Sequence, residues 1–181
     1  MPRIYKNTDT DSEVLSQKCS EITTFDDKLN TLIEDMIATM QQAGGVGIAA
    51  PQVGEAIRLF VAKTSQGIKE FINPVITEQS DEYLAQEGCL SVPGYIGYVM
   101  RPKHISGYAF NKSVEKFNFN YSASDAHVVS HENDHLDGIL YTQKAKRTVP
   151  IKAIKIIVPT IIGAGLVLAL GLIILGIKLF K

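Results

Sequence analysis

A chain of 181 residues has room for one ordinary domain plus an appendage, and it shows no internal repeat and no low-complexity segment. The net charge of −1 hides a division: residues 1–143 carry 11 Lys+Arg against 19 Asp+Glu, whereas residues 144–181 carry seven basic residues and no acid. An acidic body argues against direct nucleic-acid binding, and two cysteines, Cys19 and Cys89, exclude a disulfide framework.

Residues 1–11 are polar and charged, with no apolar core of a secretory signal. Cys19 reads as a small buried filler. The capping residues Thr23, Thr24 and Asp26 precede Leu29, Leu32, Ile33, Met36, Ile37 and Met40 at helical spacing, and Gly44 and Gly45 close the run. That pattern predicts an amphipathic helix of about four turns packed on a sheet. Short strands follow at 57–62, 68–72, 75–78, 98–100, 104–110 and 116–121, punctuated by Asn73-Pro74, Pro93-Gly94 and Asn111-Lys112-Ser113. A second helix begins near Ser122 or Ser124, carries Ala126, Val129, His131 and His135, and ends at Gly138. The order predicts an α+β fold, with antiparallel sheets packed around the second helix.

Residues 156–177 form a run of 22 without a charge and without the polar stripe of a core helix. As a helix it reaches about 33 Å, enough to cross a bilayer. Lys144, Lys146, Arg147, Lys152 and Lys155 precede it and only Lys178 and Lys181 follow, so the positive-inside tendency places the N-terminal domain in the cytoplasm. The expected organisation is a catalytic domain at 1–143, a basic juxtamembrane linker at 144–155, a transmembrane helix at 156–177 and a short tail at 178–181.

The chemistry centres on His131-Glu132-Asn133-Asp134-His135. On a helix, residues i and i+4 share a face, so two imidazoles can grip one divalent cation while Glu132 leans toward the water it carries. The bland alternative is a polar helix whose histidines are satisfied by ordinary hydrogen bonds. A catalytic site needs a third protein ligand and an open fourth position. Cys89 offers a thiolate, although the residues alone leave it equally a buried free thiol. Beyond Gly138 there is no His, Asp or Glu, which argues against a protease whose third ligand lies downstream. Gly45 and Gly47 let backbone approach closely, so an extended peptide can pair with Val46 and Gly47 as an added strand. A phosphate loop is excluded, because no Lys-Ser/Thr follows.

Three segments together, Gly45-Val46-Gly47-Ile48-Ala49-Ala50-Pro51-Gln52, Glu87-Gly88-Cys89-Leu90-Ser91 and the histidine motif, resemble the fingerprint of peptide deformylases. These metalloenzymes remove the formyl group from the N-terminus of newly made polypeptides. The resemblance implies Cys89, His131 and His135 as ligands of one metal ion, ferrous iron in the cell, with zinc, nickel or cobalt also accepted. It implies Glu132 as base and then acid, and the Gln52 amide with the Leu90 backbone N–H as donors to the developing oxyanion. It pairs Glu87 with Arg101 to hold the Cys89 loop. Formylated nascent peptides are the implied partners, the ribosome a compatible one, and the C-terminal helix adds the membrane. The chain departs from the family at Ser130 and Asn133. Ser124, Asp125 and His127 also stand where relatives are apolar around the pocket for the substrate methionine. The sequence therefore supports a membrane-fixed N-formyl amidohydrolase. Its rivals are a deformylase-like binding module and an enzyme of altered substrate preference.

Overall fold

The computed structural model describes residues 1–152. Helix α1 spans Asp27–Gln42, and Asp26 caps it by accepting from Leu29 N–H at 2.9 Å. Leu29, Ile33, Met36 and Met40 recur along one face and are all buried. They pack on Ile48 of β1 (Gly47–Ala49) and on Leu59 and Val61 of β2 (Leu59–Thr64). The alternate residues of the same strands, Ala49, Phe60 and Ala62, point the other way, into a second core. Strands β1 and β2 are thus covered on both faces.

Strand β3 (Gly67–Cys89) and strand β4 (Val92–Phe110) are long and pair antiparallel over nearly their whole length, and β5 (Lys116–Ser122) follows. The order is β1-β2-β3-β4-β5. The strands expected at 68–72 and 75–78 are one strand, and so are those expected at 98–100 and 104–110. Asn73-Pro74 is not a turn: the register shifts between Ile72 and Val75, and the bulge absorbs the proline's missing N–H. Asn73, at φ 49°, instead bonds Ile22 through its side chain, accepting from N–H at 2.9 Å and donating to C=O at 2.8 Å.

Helix α2 (Ala123–Leu136) lies on the second face of the sheet, where Ala126, Val129 and Leu136 join Phe60, Phe71, Ile105, Phe119 and Tyr121 in one core. At about 1.5–3 kcal/mol for each large apolar side chain buried, this core fixes the helix that carries both histidines. Helix α3 (Tyr141–Lys144) and strand β6 (Arg147–Pro150) complete the body. Because β6 pairs with Tyr95–Tyr98 of β4, residues 147–150 belong to the sheet and are not a free linker. The folded body therefore extends past 143 to Pro150. The apolar run 156–177 lies outside the described residues, and no helix among those described is long and apolar enough to cross a membrane.

Candidate active site

A cavity of about 460 Å³ opens where β1, the β3–β4 hairpin and α2 meet. Strand β1 lies at the end of the strand order, so among the described residues one of its edges, beside the cavity, has no partner strand. Gly45, Val46 and Gly47 line that side, Leu90 lines the hairpin turn, and His131 and Glu132 line the helix side. Val46 is exposed, as a residue offered to an incoming chain must be. Gly47 is required by packing: a β-carbon there would collide with the Glu132 carboxyl.

Cys89 ends β3, and its sulfur lies 3.3 Å from His135 Nε2. One donor atom each from Cys89, His131 and His135 lie within 4.8 Å of one another. Ligands of a tetrahedral ion at ordinary metal–nitrogen and metal–sulfur lengths stand about 3.4–3.6 Å apart, so the cluster is close to coordinating geometry. His131 is turned by Glu87, whose Oε2 accepts from Nδ1 at 2.8 Å. That bond leaves Nε2 as the free nitrogen.

Electrostatics favour positive charge at the centre of this cluster. Burial works against the charged form of His131, but hydrogen bonds to Cys89 and Glu87 outweigh it and hold its pKa up to about 10. Burial, together with the His131 charge, holds His135 well below its ordinary value. The groups around His131 thus favour a positive charge at that position, and a bound metal ion would supply that charge in place of a proton. Burial pushes the Glu132 carboxyl up to about 7. Its Oε2 is buried and has no hydrogen-bond partner among the described residues.

Gln52 is also buried. Its Oε1 accepts from Ala49 N–H at 2.8 Å, which obliges the amide nitrogen to face the other way. That nitrogen donates to Ser91 Oγ at 3.1 Å and lies 3.5 Å from the Cys89 sulfur.

The expectation for Glu87 and Arg101 needs enlarging. They do pair, with Arg101 Nη2 3.0 Å from Glu87 Oε1, but the pair also reaches α2. Arg101 Nη1 lies 2.6 Å from Asp134 Oδ2, and Glu87 accepts from both His131 and His127. Burial alone would raise the Glu87 pKa; the hydrogen bonds from the two histidines and the Arg101 charge hold it well below the ordinary carboxylate range. Sequence reasoning missed this role of Glu87, and also Tyr141, whose buried ring stands 6.2 Å from that of His131.

The departures from the family pattern separate in space. Ser130 and Asn133 line a different cavity, behind α2, together with Asp134 and Lys144. Asp125 is turned to the β2–β3 turn, where it accepts from Ser65 Oγ at 2.6 Å. Ser124 and His127 line the active cavity. His104 is exposed and stands outside the cluster.

Residues 3–150 match the family described as polypeptide deformylase. A peptide deformylase from Clostridium botulinum (strain Alaska E43 / Type E3) is 42% identical over 134 residues, 74% of this chain and 91% of the relative. One from Acetivibrio thermocellus is 43% identical over 135 residues, 75% of this chain and 79% of the relative. The crystal structure of peptide deformylase from Thermotoga maritima superposes with a TM-score of 0.77 at 37% identity, covering 81% of this chain and 99% of that one. Sequence, fold and the arrangement of cysteine and histidines agree, and the chain belongs to the polypeptide deformylase family.

Proposed function

We propose that this protein is a metal-dependent hydrolase that removes the formyl group from the N-terminal methionine of newly made polypeptides, releasing formate. The observation that carries the reading is the meeting of Cys89, His131 and His135 beside a buried, unpartnered Glu132 oxygen. Those three residues would hold one divalent ion, Fe2+ by resemblance to the family. When bound, the ion supplies Lewis acidity and makes a water molecule nucleophilic at neutral pH.

The remaining steps belong to the chain. The free edge of β1 takes the peptide backbone as an added strand along Gly45, Val46 and Gly47. Glu132 accepts a proton from the attacking water at Oε2 and returns it to the departing amine, and its burial, which raises its pKa, suits it to hold that proton between the two transfers. The Gln52 amide and the Leu90 backbone N–H stabilise the oxyanion as the formyl carbon becomes tetrahedral. Glu87 keeps the His131 ring in orientation throughout.

The test is formate release from formyl-Met peptides by the full chain purified without oxygen, beside Glu132→Ala. The native protein should release formate, and the variant should keep its metal while losing turnover. A metal-loaded native protein that releases none from any formyl peptide contradicts the reading.

We also propose that residues 156–177 fix the catalytic body to the cytoplasmic face of a membrane. Support comes from the length of the uncharged run and the basic residues before it. In cell fractionation the full chain should sediment with membranes, and a chain ending at Pro150 should not. Full chain in the soluble fraction contradicts the anchor.

A further inference from the structure

Strand β6 runs antiparallel to β4, with Arg147 opposite Tyr98 and Pro150 opposite Tyr95, so it carries the chain toward the turn of the β3–β4 hairpin. The next residue, Ile151, lines the active cavity, as do Tyr95 and Val46. All three are large apolar side chains left exposed. Single exposed apolar residues are ordinary, but three around one opening, at the point where the chain leaves the sheet, mark a contact surface.

The chain's own sequence names what meets that surface. The uncharged run begins at Ile156, five residues after Ile151. Whatever course the chain takes between them, five residues span at most about 18 Å. The headgroup layer of one leaflet fills about 5–8 Å of that distance. With residues 156–177 across a bilayer, the rim of the cavity therefore stays beside the lipid surface. Lys146, Arg147 and Lys152 are exposed around the exit, a charge that suits anionic headgroups. Tyr95 offers an apolar ring with a polar tip, the side chain favoured at a membrane–water interface.

We propose that the mouth of the active cavity lies against the bilayer, with Tyr95 and Ile151 in the headgroup layer, and that the protein prefers formyl-Met chains held at that surface by an apolar segment of their own. The inference rests on the deformylase reading and on the membrane anchor, and deepens both by naming which formylated chains the site meets. A chain seated in the same leaflet presents its N-terminus at the depth of the cavity rim, whereas a soluble chain must find it from bulk water.

Two measurements on the full chain, metal-loaded without oxygen and reconstituted in vesicles of phosphatidylcholine and phosphatidylserine, test the proposal. The chain has no tryptophan, so Tyr95→Trp and Lys28→Trp are single reporters. Lys28 is exposed near the start of α1, about 21 Å along the helix from the end that leads to Gly44 and Gly45 at the cavity. Lipid carrying a nitroxide on its headgroup should quench Tyr95→Trp and leave Lys28→Trp bright. The second measurement sets a soluble formyl-Met peptide in competition with one that an apolar helix seats in the same vesicles. A Gly-Ser insert after Lys152 that lengthens the tether from five residues to about 25 should lower the preference for the seated peptide about tenfold, with kcat/KM on the soluble peptide unchanged. Equal quenching of the two reporters in vesicle-bound protein, or an insert without effect on the preference, would overturn the inference. Full chain that does not float with vesicles would overturn the anchor beneath it, and vesicle-bound protein that releases formate from neither peptide would overturn the deformylase reading.

Discussion

Glu87 accepts from Nδ1 of His131 at 2.8 Å, across 44 residues of sequence, and this bond decides which imidazole nitrogen is free. Partners of this kind behind a metal-binding histidine are worth about 10–100-fold in metal affinity. Glu87→Gln should weaken zinc binding by that factor in a chelator competition, with the fold intact by circular dichroism.

The same carboxylate gives an acid-sensitive stability. Its folded pKa lies well below the ordinary value of 4.5, so its contribution is complete above about pH 4.5 and is lost as pH falls toward the depressed folded value. Thermal midpoints measured from pH 7 to pH 3 should drop below about pH 4.5, and Glu87→Gln should flatten that drop. Removing its partner leaves buried carboxylates uncompensated, so Arg101→Ala should cost about 3–5 kcal/mol in denaturant unfolding.

Gly47 and Glu132 occupy one space. In Gly47→Ala the new methyl group must displace the carboxyl that moves the proton. A shift of about 1 Å at a catalytic group costs on the order of 100-fold. Steady-state kinetics should show kcat falling by that factor, while metal content by elemental analysis stays at the native level.

The two thiols should behave differently. Cys19 is buried, and burial pushes its pKa up to about 11, so it should resist alkylation at pH 8 in the folded protein. Cys89 lines the cavity and should be modified in metal-free protein. Added zinc should protect it, and peptide mapping by mass spectrometry reads both outcomes.

Much of this site is legible in the chain because its chemistry is written locally. His131 and His135 are one turn apart on a helix whose caps and apolar residues are also local, and α1 is marked just as clearly by Asp26 and its recurring Leu, Ile and Met residues. The long strands are not legible, because Asn73-Pro74 is a true local turn signal that the sheet overrides by pairing β3 with β4 across a bulge. Strand β6 is hidden for a related reason: Arg-Thr-Val-Pro has little apolar alternation, and its partner, Tyr95–Tyr98, is about 50 residues away. The bonds from Glu87 to His127 and His131 likewise exist only once β3 and α2 are packed together.

The central claim is that Cys89, His131 and His135 hold one ion, and X-ray absorption at the metal edge of the loaded full chain tests it most directly. The account predicts one sulfur neighbour at about 2.3 Å and two imidazole nitrogens at about 2.0–2.1 Å, with the sulfur signal lost in Cys89→Asp. A shell of nitrogen and oxygen alone in the native protein would contradict it.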